Sequence, residues 1–216
     1  MVMKKVIIVF AVLFGVMACK KDTVNKVEVT EARDVIEVEE SEAVLVDAEH
    51  SMVVWKGFKP GKEHYGLIGI SEGTISLKNG HIIGGSFKFD MNSISNTDMP
   101  KDDPYNEKLV RHLKSSDFFD ARKYPVATFE ITDINEEGGD LNIGGNLTIK
   151  ETTKNINIPV AMVENNGVVT LKSEVFTVDR TDFDVRYGSG KFFDNLKDNL
   201  INDEFELSFE VKATKH

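Results

Sequence analysis

The chain of 216 residues contains one cysteine, one tryptophan and five prolines, and its basic residues cluster no further than pairs. A single cysteine excludes an intramolecular disulfide and a thiolate zinc cluster. The formal net charge is −10 at pH 7, so the chain is not expected to bind nucleic acid. A negative mean hydropathy excludes a polytopic membrane protein. Hydrophobic residues nevertheless make up 41% of the chain, with 14 phenylalanines, which is enough for one sizeable core.

The longest apolar run, VIIVFAVLFGVMA, lies near the N-terminus at residues 6–18 and follows Lys4 and Lys5. A bilayer-spanning helix needs about 20 apolar residues, so this shorter run is typical of a secretory signal peptide. Cys19 follows directly, and the small residues before it resemble the lipobox of bacterial lipoproteins, whose cysteine is acylated and becomes the mature N-terminus. The alternative is a short core helix with an incidental cysteine.

The lipobox resemblance implies that Cys19 anchors the protein to the cell envelope. Lys20 stands where an aspartate would indicate retention in the inner membrane, so we expect the outer membrane, facing the periplasm. Residues 20–41 are charged, lack aromatics and show no sustained period, which favours a flexible tether. A short edge strand at 35–38 is the alternative. The predicted organisation is a signal peptide at 1–18, acylated Cys19 and tether at 19–42, and one domain at 43–216.

Beyond residue 42, apolar and polar residues alternate nearly everywhere. This period of two, interrupted by turns such as Asn165-Asn166-Gly167, is typical of antiparallel strands with one face in solvent. The spacing predicts an all-β fold of about eight strands, in a closed barrel or a sandwich. The clearest apolar faces lie in the segments 87–91, 127–131, 141–149, 156–162 and 205–213.

Two segments have helical spacing instead. Asp103 and Pro104 are typical of an N-cap followed by proline at the first helical position, and Leu109 and Leu113 share one face of the predicted helix. The apolar residues between Phe192 and Leu200 predict a second short helix. Either helix could close a barrel end or simply cover an edge of the core.

Four spaced motifs resemble those of the YceI-like family, in the same order and over residues 44–213. They are DAEHSMVVW at 47–55, HLKSSDFFD at 112–120 with YPVATF at 124–129, GNLTIK at 145–150 with TTK at 152–154, and FTVDRTDF at 176–183. The resemblance implies a lipocalin-like antiparallel barrel with an interior tunnel that holds a polyisoprenoid or another long-chain lipid. Residues 56–66 and the segment 192–201 depart from the commoner family form, and both could reshape the tunnel mouth.

Inward-facing apolar residues should then line the tunnel, with helix residues closing one end. The predicted ligand-binding residues are Phe87, Phe89, Met91, Leu109, Leu113, Phe118, Phe119, Phe129, Ile131, Leu147, Ile149 and Phe176. The predicted partners are this lipid and, through the anchor, the membrane. The sequence does not decide whether the protein forms a homodimer.

Three other patterns are weaker. Asp47, His50 and Ser51 are the residue types of a hydrolytic triad, but in an extended strand His50 points away from the other two, so we expect no catalytic site. Residues 140–151 fit the ligand spacing of an EF-hand loop, but both flanks alternate as strands instead of helices. The five histidines lack metal-ligand spacing, so neither a metal nor a cofactor is predicted.

Two functions remain. The first is a membrane-anchored protein that carries or sequesters an isoprenoid-like amphiphile inside its barrel, without catalysis. The alternative is an interaction or stress-response lipoprotein with a filled barrel and no small-molecule ligand. Periodicity does not distinguish a filled interior from a hollow one, whereas the presence of a continuous apolar void does.

Overall fold

Eight strands close into a ring, as a computed structural model describes for residues 25–215. The described part contains β1 (Asn25–Lys26), β2 (Val29–Glu31), β3 (Glu42–Val46), β4 (Met52–Lys59), β5 (Lys62–Lys78), β6 (His81–Asn96), α1 (Pro104–Leu113), β7 (Val126–Glu137), β8 (Asp140–Ile149), β9 (Thr152–Asn165), β10 (Val168–Ser173), β11 (Phe176–Asp179) and β12 (Glu204–Thr214). The predicted signal peptide and the acylation at Cys19 fall outside the described residues.

The ring is an up-and-down antiparallel barrel. Neighbouring strands from β4 to β10 pair in chain order, and β12 closes the ring by pairing with β10 on one side and β4 on the other. β3 continues β4, and β11 continues β10, so each pair acts as one interrupted wall strand. Closure removes the exposed strand edges that an open sheet would present. The all-β fold predicted from the alternation is confirmed, and so is the antiparallel barrel that the family resemblance implies.

The two ends of the barrel differ. The closed end, as we call it, carries the tight hairpin turns at 79–80, 138–139 and 166–167. The open end carries the turn at 60–61, the connection 97–125 that contains α1, the turn at 150–151 and the connection 180–203. Long connections at one end only are what allow that end to form a site.

Helix α1 begins as the sequence predicts. Asp103 is its N-cap, and the carboxylate accepts the N–H of Tyr105 at 2.8 Å. Pro104 occupies the first turn, where its missing N–H costs nothing. The second predicted helix is wrong, because residues 192–200 form an irregular connection with a single 3₁₀ turn at Lys197–Asn199. A helical spacing of apolar residues over nine positions is too short to impose a helix without packing support.

The tether predicted over residues 19–42 needs correction, because residues 25–38 lie against the barrel wall. We call this segment the strap. β1 runs parallel to β11 and β2 antiparallel to β9, so the strap fills the wall where β9 and β11 diverge. It then crosses β8 and β7, where the Ile36 N–H donates to the Ile131 carbonyl at 3.2 Å. Val27, at 5% exposed, joins the hydrophobic core.

One outward-facing asparagine, Asn146, bonds to the strap, and a second, Asn155, bonds to Asn146. Asn146 donates to the Arg33 carbonyl at 2.7 Å and accepts the Arg33 N–H at 3.0 Å. Asn155, its cross-strand partner, donates to Asn146 at 3.1 Å and to Thr132 at 2.7 Å. Both side chains are buried although they point away from the barrel interior. Buried amides that satisfy backbone groups fix the position of the strap.

Asn146→Ala is expected to lower the free energy of unfolding by about 1–3 kcal/mol, because it leaves the Arg33 N–H and carbonyl without their partner. Urea unfolding followed by fluorescence of the single tryptophan, Trp55, measures the change. The control is Asn157→Ala, an exposed asparagine on the neighbouring strand β9, with an expected effect below about 0.5 kcal/mol. Equal effects of the two substitutions would contradict the role of the strap.

Candidate functional site

The barrel is solid towards its closed end. Seven residues there, spread over the wall strands, are at most 6% exposed, and none of them lines the cavity in the other half: Val44, Ile75, Leu77, Ile82, Ile131, Val169 and Ala213. Branched aliphatic side chains from facing strands fill this half at the density of an ordinary core. A second pocket at this end, which Ile82 borders, is lined in part by charged and polar side chains such as His81, Glu136 and Lys172. The apolar cavity lies in the other half.

Towards the open end the barrel is hollow. The cavity has a volume of about 210 Å³ and reaches from the middle of the barrel to the connections at the open end. Strand β12 shows the change along its own length. Val211 and Ala213 are 3% and 0% exposed, whereas Phe205, Leu207 and Phe209, on the same face, are partly exposed. Inward residues keep accessible surface because they border the cavity. The structure thus resolves the choice that periodicity left open.

Eleven of the twelve residues predicted to bind ligand lie in the cavity wall: Phe87, Phe89, Met91, Leu109, Leu113, Phe118, Phe119, Phe129, Leu147, Ile149 and Phe176. Ile131 does not, because it is 1% exposed and belongs to the filled half. It shares a face with Phe129, but it lies one step closer to the closed end. Alternation identifies the inward face of a strand and does not show how far along the strand the cavity extends.

Several wall residues were not predicted as site residues. They lie on strands whose inward faces are equally apolar, namely Val53, Trp55, Ile68, Ile70, Ile156, Ile158, Val160, Phe205, Leu207 and Phe209. The alternation in 156–162 and 205–213 identified some of these inward faces. Which strands border the void and which pack solidly follows from the barrel shape, which a linear pattern does not contain.

Gly145 explains how a phenylalanine-rich wall leaves space. A Cβ at this position would lie 2.2 Å from the ring of Phe129, so only glycine lets that ring lie flat against β8. The Phe129 and Phe87 rings then pack together with their centroids 6.4 Å apart. Because the aromatic rings lie along the wall, they add apolar surface without filling the centre.

The wall contains few polar groups. The indole N–H of Trp55 donates to the Ser95 carbonyl at 3.1 Å and so is not available to a ligand. The charged or polar side chains in the lining are Lys59, His64, Arg180 and Asn202, and all four belong to the open end. Such a cavity suits an apolar chain whose polar end, if it has one, lies at the mouth.

His64 is held at the rim by Asp98. Its Nδ1 lies 2.8 Å from the Asp98 carboxylate, which also accepts the N–H of Tyr65 at 2.8 Å and a hydrogen bond from Asn96. Burial acts to raise the pKa of Asp98, but these hydrogen bonds outweigh burial and hold the pKa below its usual range. The carboxylate therefore stays ionised at neutral pH and fixes the orientation of the imidazole.

Arg180 is a buried side chain that stabilises the connection at the open end by hydrogen bonds. It is 5% exposed, and it donates to the carbonyls of Val185, Ile201 and Asn202 at 2.8–3.0 Å and to the Asp203 carboxylate at 3.4 Å. Burial lowers the pKa of Arg180, and nearby carboxylates oppose that shift. The guanidinium thus ties the start of the connection 180–203 to its end, next to β12.

The roof of the cavity comes from α1 and the turn that follows it. Phe118 packs 6.0 Å from the Arg180 guanidinium and 5.5 Å from the ring of Tyr187. Leu109 and Leu113 on α1 also face the cavity. The prediction that these helix residues lie at one end of the tunnel agrees with their positions, while contact with a ligand stays a prediction.

The expected geometry of the Asp47, His50 and Ser51 group is partly wrong. Residues 48–50 form a 3₁₀ turn capped by Asp47, and this turn brings the Asp47 carboxylate to 2.8 Å from His50 Nδ1. Ser51 is engaged elsewhere, because its hydroxyl donates to the Lys212 carbonyl at 3.3 Å and accepts the Lys212 N–H at 2.9 Å. Ser51 therefore joins two strands, and the contacts of its hydroxyl do not form a triad.

The segment that fits the EF-hand spacing is strand β8 followed by a tight turn. Its alternate residues Leu147 and Ile149 face the cavity, as the strand interpretation requires. Among residues 25–215, no group of three or more histidine, cysteine, aspartate or glutamate side chains is placed to hold a metal ion. In the same range, no helix has both the length and the apolar character needed to cross a bilayer.

The family model of the YceI-like domain matches residues 45–213, which include the cavity and the ring from β4 to β12 apart from the last residue of β12. The chain belongs to the YceI-like family. The family shares with this chain the region that encloses the cavity. The strap precedes the matched region, so it lies outside the part that defines the family domain.

Among curated YceI-like relatives, Protein YceI of Escherichia coli O17:K52:H18 is 40% identical over 53 residues, and a UPF0312 protein of Enterobacter sp. (strain 638) is 33% identical over 87 residues. These matches cover 24% and 37% of this chain. They span only 28% and 44% of the lengths of the two relatives.

Two solved structures share the fold over most of the chain. BcnA of Burkholderia cenocepacia superposes with a TM-score of 0.61 at 24% identity, covering 78% of this chain and 99% of that protein. A polyisoprenoid binding domain from Saccharophagus degradans, implicated in plant cell wall breakdown, superposes with a TM-score of 0.58 at 13% identity, covering 82% and 100%. At these identities the likeness shows the fold alone.

Proposed function

We propose that this protein binds one molecule of an isoprenoid or similar long-chain amphiphile inside its barrel, and that it performs no catalysis. The observation that carries the proposal is the apolar cavity, which is closed at one end and opens at the other through a rim with Lys59, His64 and Asn202. Such a shape fits a long tail inside and a polar group at the mouth. The polyisoprenoid binding of a structural neighbour with the same fold supports this choice of ligand.

Energetics favour exchange with a membrane over capture from water. Burying one CH₂ is worth about 0.8 kcal/mol, so a tail of ~40 carbons would nominally exceed the limit of non-covalent affinity near −20 kcal/mol. Inside a bilayer the tail is already out of water, so transfer from bilayer to barrel is close to balanced. Selectivity must then come from the shape of the cavity and from the polar groups at the rim.

The first test is the lipid content of purified protein. Protein lacking residues 1–19 is expected to co-purify from a bacterial host with an apolar lipid at about one molecule per chain, as seen by native mass spectrometry followed by extraction. After removal of the lipid, the protein should take up a polyprenol from liposomes. Folded protein that is empty and takes up none would contradict the proposal and leave the interaction protein without a ligand as the alternative.

The proposal includes anchoring through Cys19 in the cell envelope, with the outer membrane facing the periplasm as the proposed site. The basic flank, the short apolar run at 6–18 and the cysteine that follows it support this placement. Cys19→Ala should move the protein from the membrane fraction to the soluble fraction, or leave the signal peptide attached. Fractionation and the mass of the N-terminal peptide distinguish these results, and an unchanged membrane fraction of normally processed protein would contradict anchoring.

A further inference from the structure

A turn at the open end presents three aromatic rings to solvent. Tyr187, Phe192 and Phe193 are 42%, 44% and 51% exposed. Single exposed apolar side chains are ordinary on protein surfaces, but three large rings on one short turn form a patch that calls for a partner. We call residues 186–193 the aromatic turn.

Hydrogen bonds fix the aromatic turn in this arrangement. Ser189 is fully buried, and its carbonyl accepts the N–H groups of Phe192 and Phe193 at 3.2 and 3.1 Å. Its hydroxyl accepts the N–H of Lys191 at 3.2 Å. The Gly188 carbonyl accepts the Ile201 N–H at 2.8 Å, which ties the turn to the rim of the cavity. The two phenylalanines therefore point outward because the backbone is held, and their exposure is a property of the fold.

The aromatic turn is continuous with the cavity. Tyr187 packs against Phe118, with ring centroids 5.5 Å apart, and Phe118 lines the cavity. Ile201, which receives the hydrogen bond from the turn, lines the cavity as well. The exposed rings thus lie at the rim through which the proposed ligand passes.

The charges around the rings nearly cancel. Each cation of the turn is paired with a carboxylate, since Arg186 Nε lies 2.5 Å from Asp184 and Lys191 Nζ lies 2.5 Å from Asp179. The whole chain, by contrast, carries a net charge of −10. The Arg186 guanidinium lies 4.7 Å from the centre of the Phe192 ring. A neutral patch of phenylalanine and tyrosine flanked by cationic side chains suits the interface of a bilayer, where aromatic rings lie at headgroup depth.

We propose that the aromatic turn docks the open end of the barrel on a lipid bilayer, with Phe192 and Phe193 inserted between the headgroups. The inference rests on the proposed function, because a ligand with a long apolar tail is found in a membrane and not in water. Docking of the rim lets the tail move between bilayer and cavity without being hydrated. Since apolar insertion drives it, docking persists at 1 M salt, where interactions between exposed charges are screened.

Tryptophan fluorescence of the full chain bound to vesicles tests which end of the barrel faces the bilayer, whether or not the anchor is present. Phe193→Trp reports on the aromatic turn, and Val163→Trp, at an exposed position on β9 near the closed end, is the control. Trp55 is common to both proteins, and its signal is subtracted. In phosphatidylcholine vesicles with brominated acyl chains, the tryptophan at 193 should be quenched about twofold or more, and the tryptophan at 163 should not. Equal quenching of both, or quenching of neither, overturns the docking surface.

A kinetic test uses the double substitution Phe192→Ser and Phe193→Ser in the full chain. Uptake of a fluorescent polyprenol from phosphatidylcholine vesicles should be about tenfold slower or more, because two rings no longer insert, while the amount bound at equilibrium stays the same. Tyr105→Ser, which changes a ring that is 72% exposed on α1, is the control and should leave the rate unchanged. An unchanged rate in the double variant overturns the proposal.

The two hypotheses fail in different ways. If wild-type protein takes up no polyprenol but the tryptophan at 193 is selectively quenched, the proposed ligand is wrong and the docking surface stands. If wild-type protein takes up polyprenol and neither reporter is quenched, the ligand stands and the docking surface is wrong.

Discussion

Gly57→Trp is expected to abolish lipid binding while leaving the barrel folded. Gly57 lies on β4 in the cavity wall, and no atom outside its chain neighbours lies within 4 Å of the position that a Cβ would take. Its φ lies outside the left-handed range, so a larger residue causes no backbone strain there. An indole at this position occupies the space near the mouth that a lipid tail would need.

Native mass spectrometry and polyprenol uptake should show at least about a tenfold loss of bound lipid, because the tail and the indole exclude each other. The melting temperature of lipid-free protein should stay the same or rise, since the new side chain fills empty space and removes a glycine from a strand. Gly57→Ala is the matched control and should bind lipid normally. Normal lipid content in the tryptophan variant would show that the ligand, if any, binds elsewhere.

Arg180→Met is expected to cause the largest loss of stability, about 3–5 kcal/mol in the free energy of unfolding. The substitution keeps an unbranched apolar stem but removes the guanidinium. Three backbone carbonyls and the Asp203 carboxylate then lose their donor in a buried position. Leaving buried acceptors unpaired costs more than the net worth of the bonds themselves.

Urea unfolding with circular dichroism measures the effect of Arg180→Met. Arg186→Met is the control, because Arg186 is an exposed arginine six positions along the same connection, with its charge paired to Asp184 at the surface. An exposed ion pair contributes about 0–1 kcal/mol, so the control should unfold almost as the wild type does. Similar losses in both variants would contradict the structural role assigned to the Arg180 hydrogen bonds.

Local signals predicted most of the regular structure. Apolar and polar residues alternate over nine positions in strands such as 141–149 and 205–213. Burial of one face is enough to make such a segment a strand and to set which residues point inward. The Asp103-Pro104 pair marked the start of α1 because capping chemistry is local. The predicted helix at 192–200 failed for the complementary reason. Four apolar residues at helical spacing were all its support, and the Ser189 carbonyl instead holds Phe192 and Phe193 in a tight turn at its start.

The packing of the strap on the barrel could not be predicted from its charged sequence. Residues 25–38 have the composition of a tether, yet they pack on the outer face of the barrel, where Asn146 pairs with the Arg33 backbone and Asn155 donates to Asn146. Those asparagines lie more than 100 residues away in the chain. The sequence of the strap alone therefore does not show that its backbone groups have hydrogen-bond partners on the barrel.

The sequence by itself determined the class of fold and the residue types of the barrel interior, because a period of two and turn chemistry act over a few neighbouring residues. Tertiary structure alone decided that the interior is hollow towards one end and filled towards the other. That difference depends on how the Phe129 ring lies over Gly145 and on which connections reach across the open end. Volume left between distant side chains is a property of the closed ring, so no single segment encodes it.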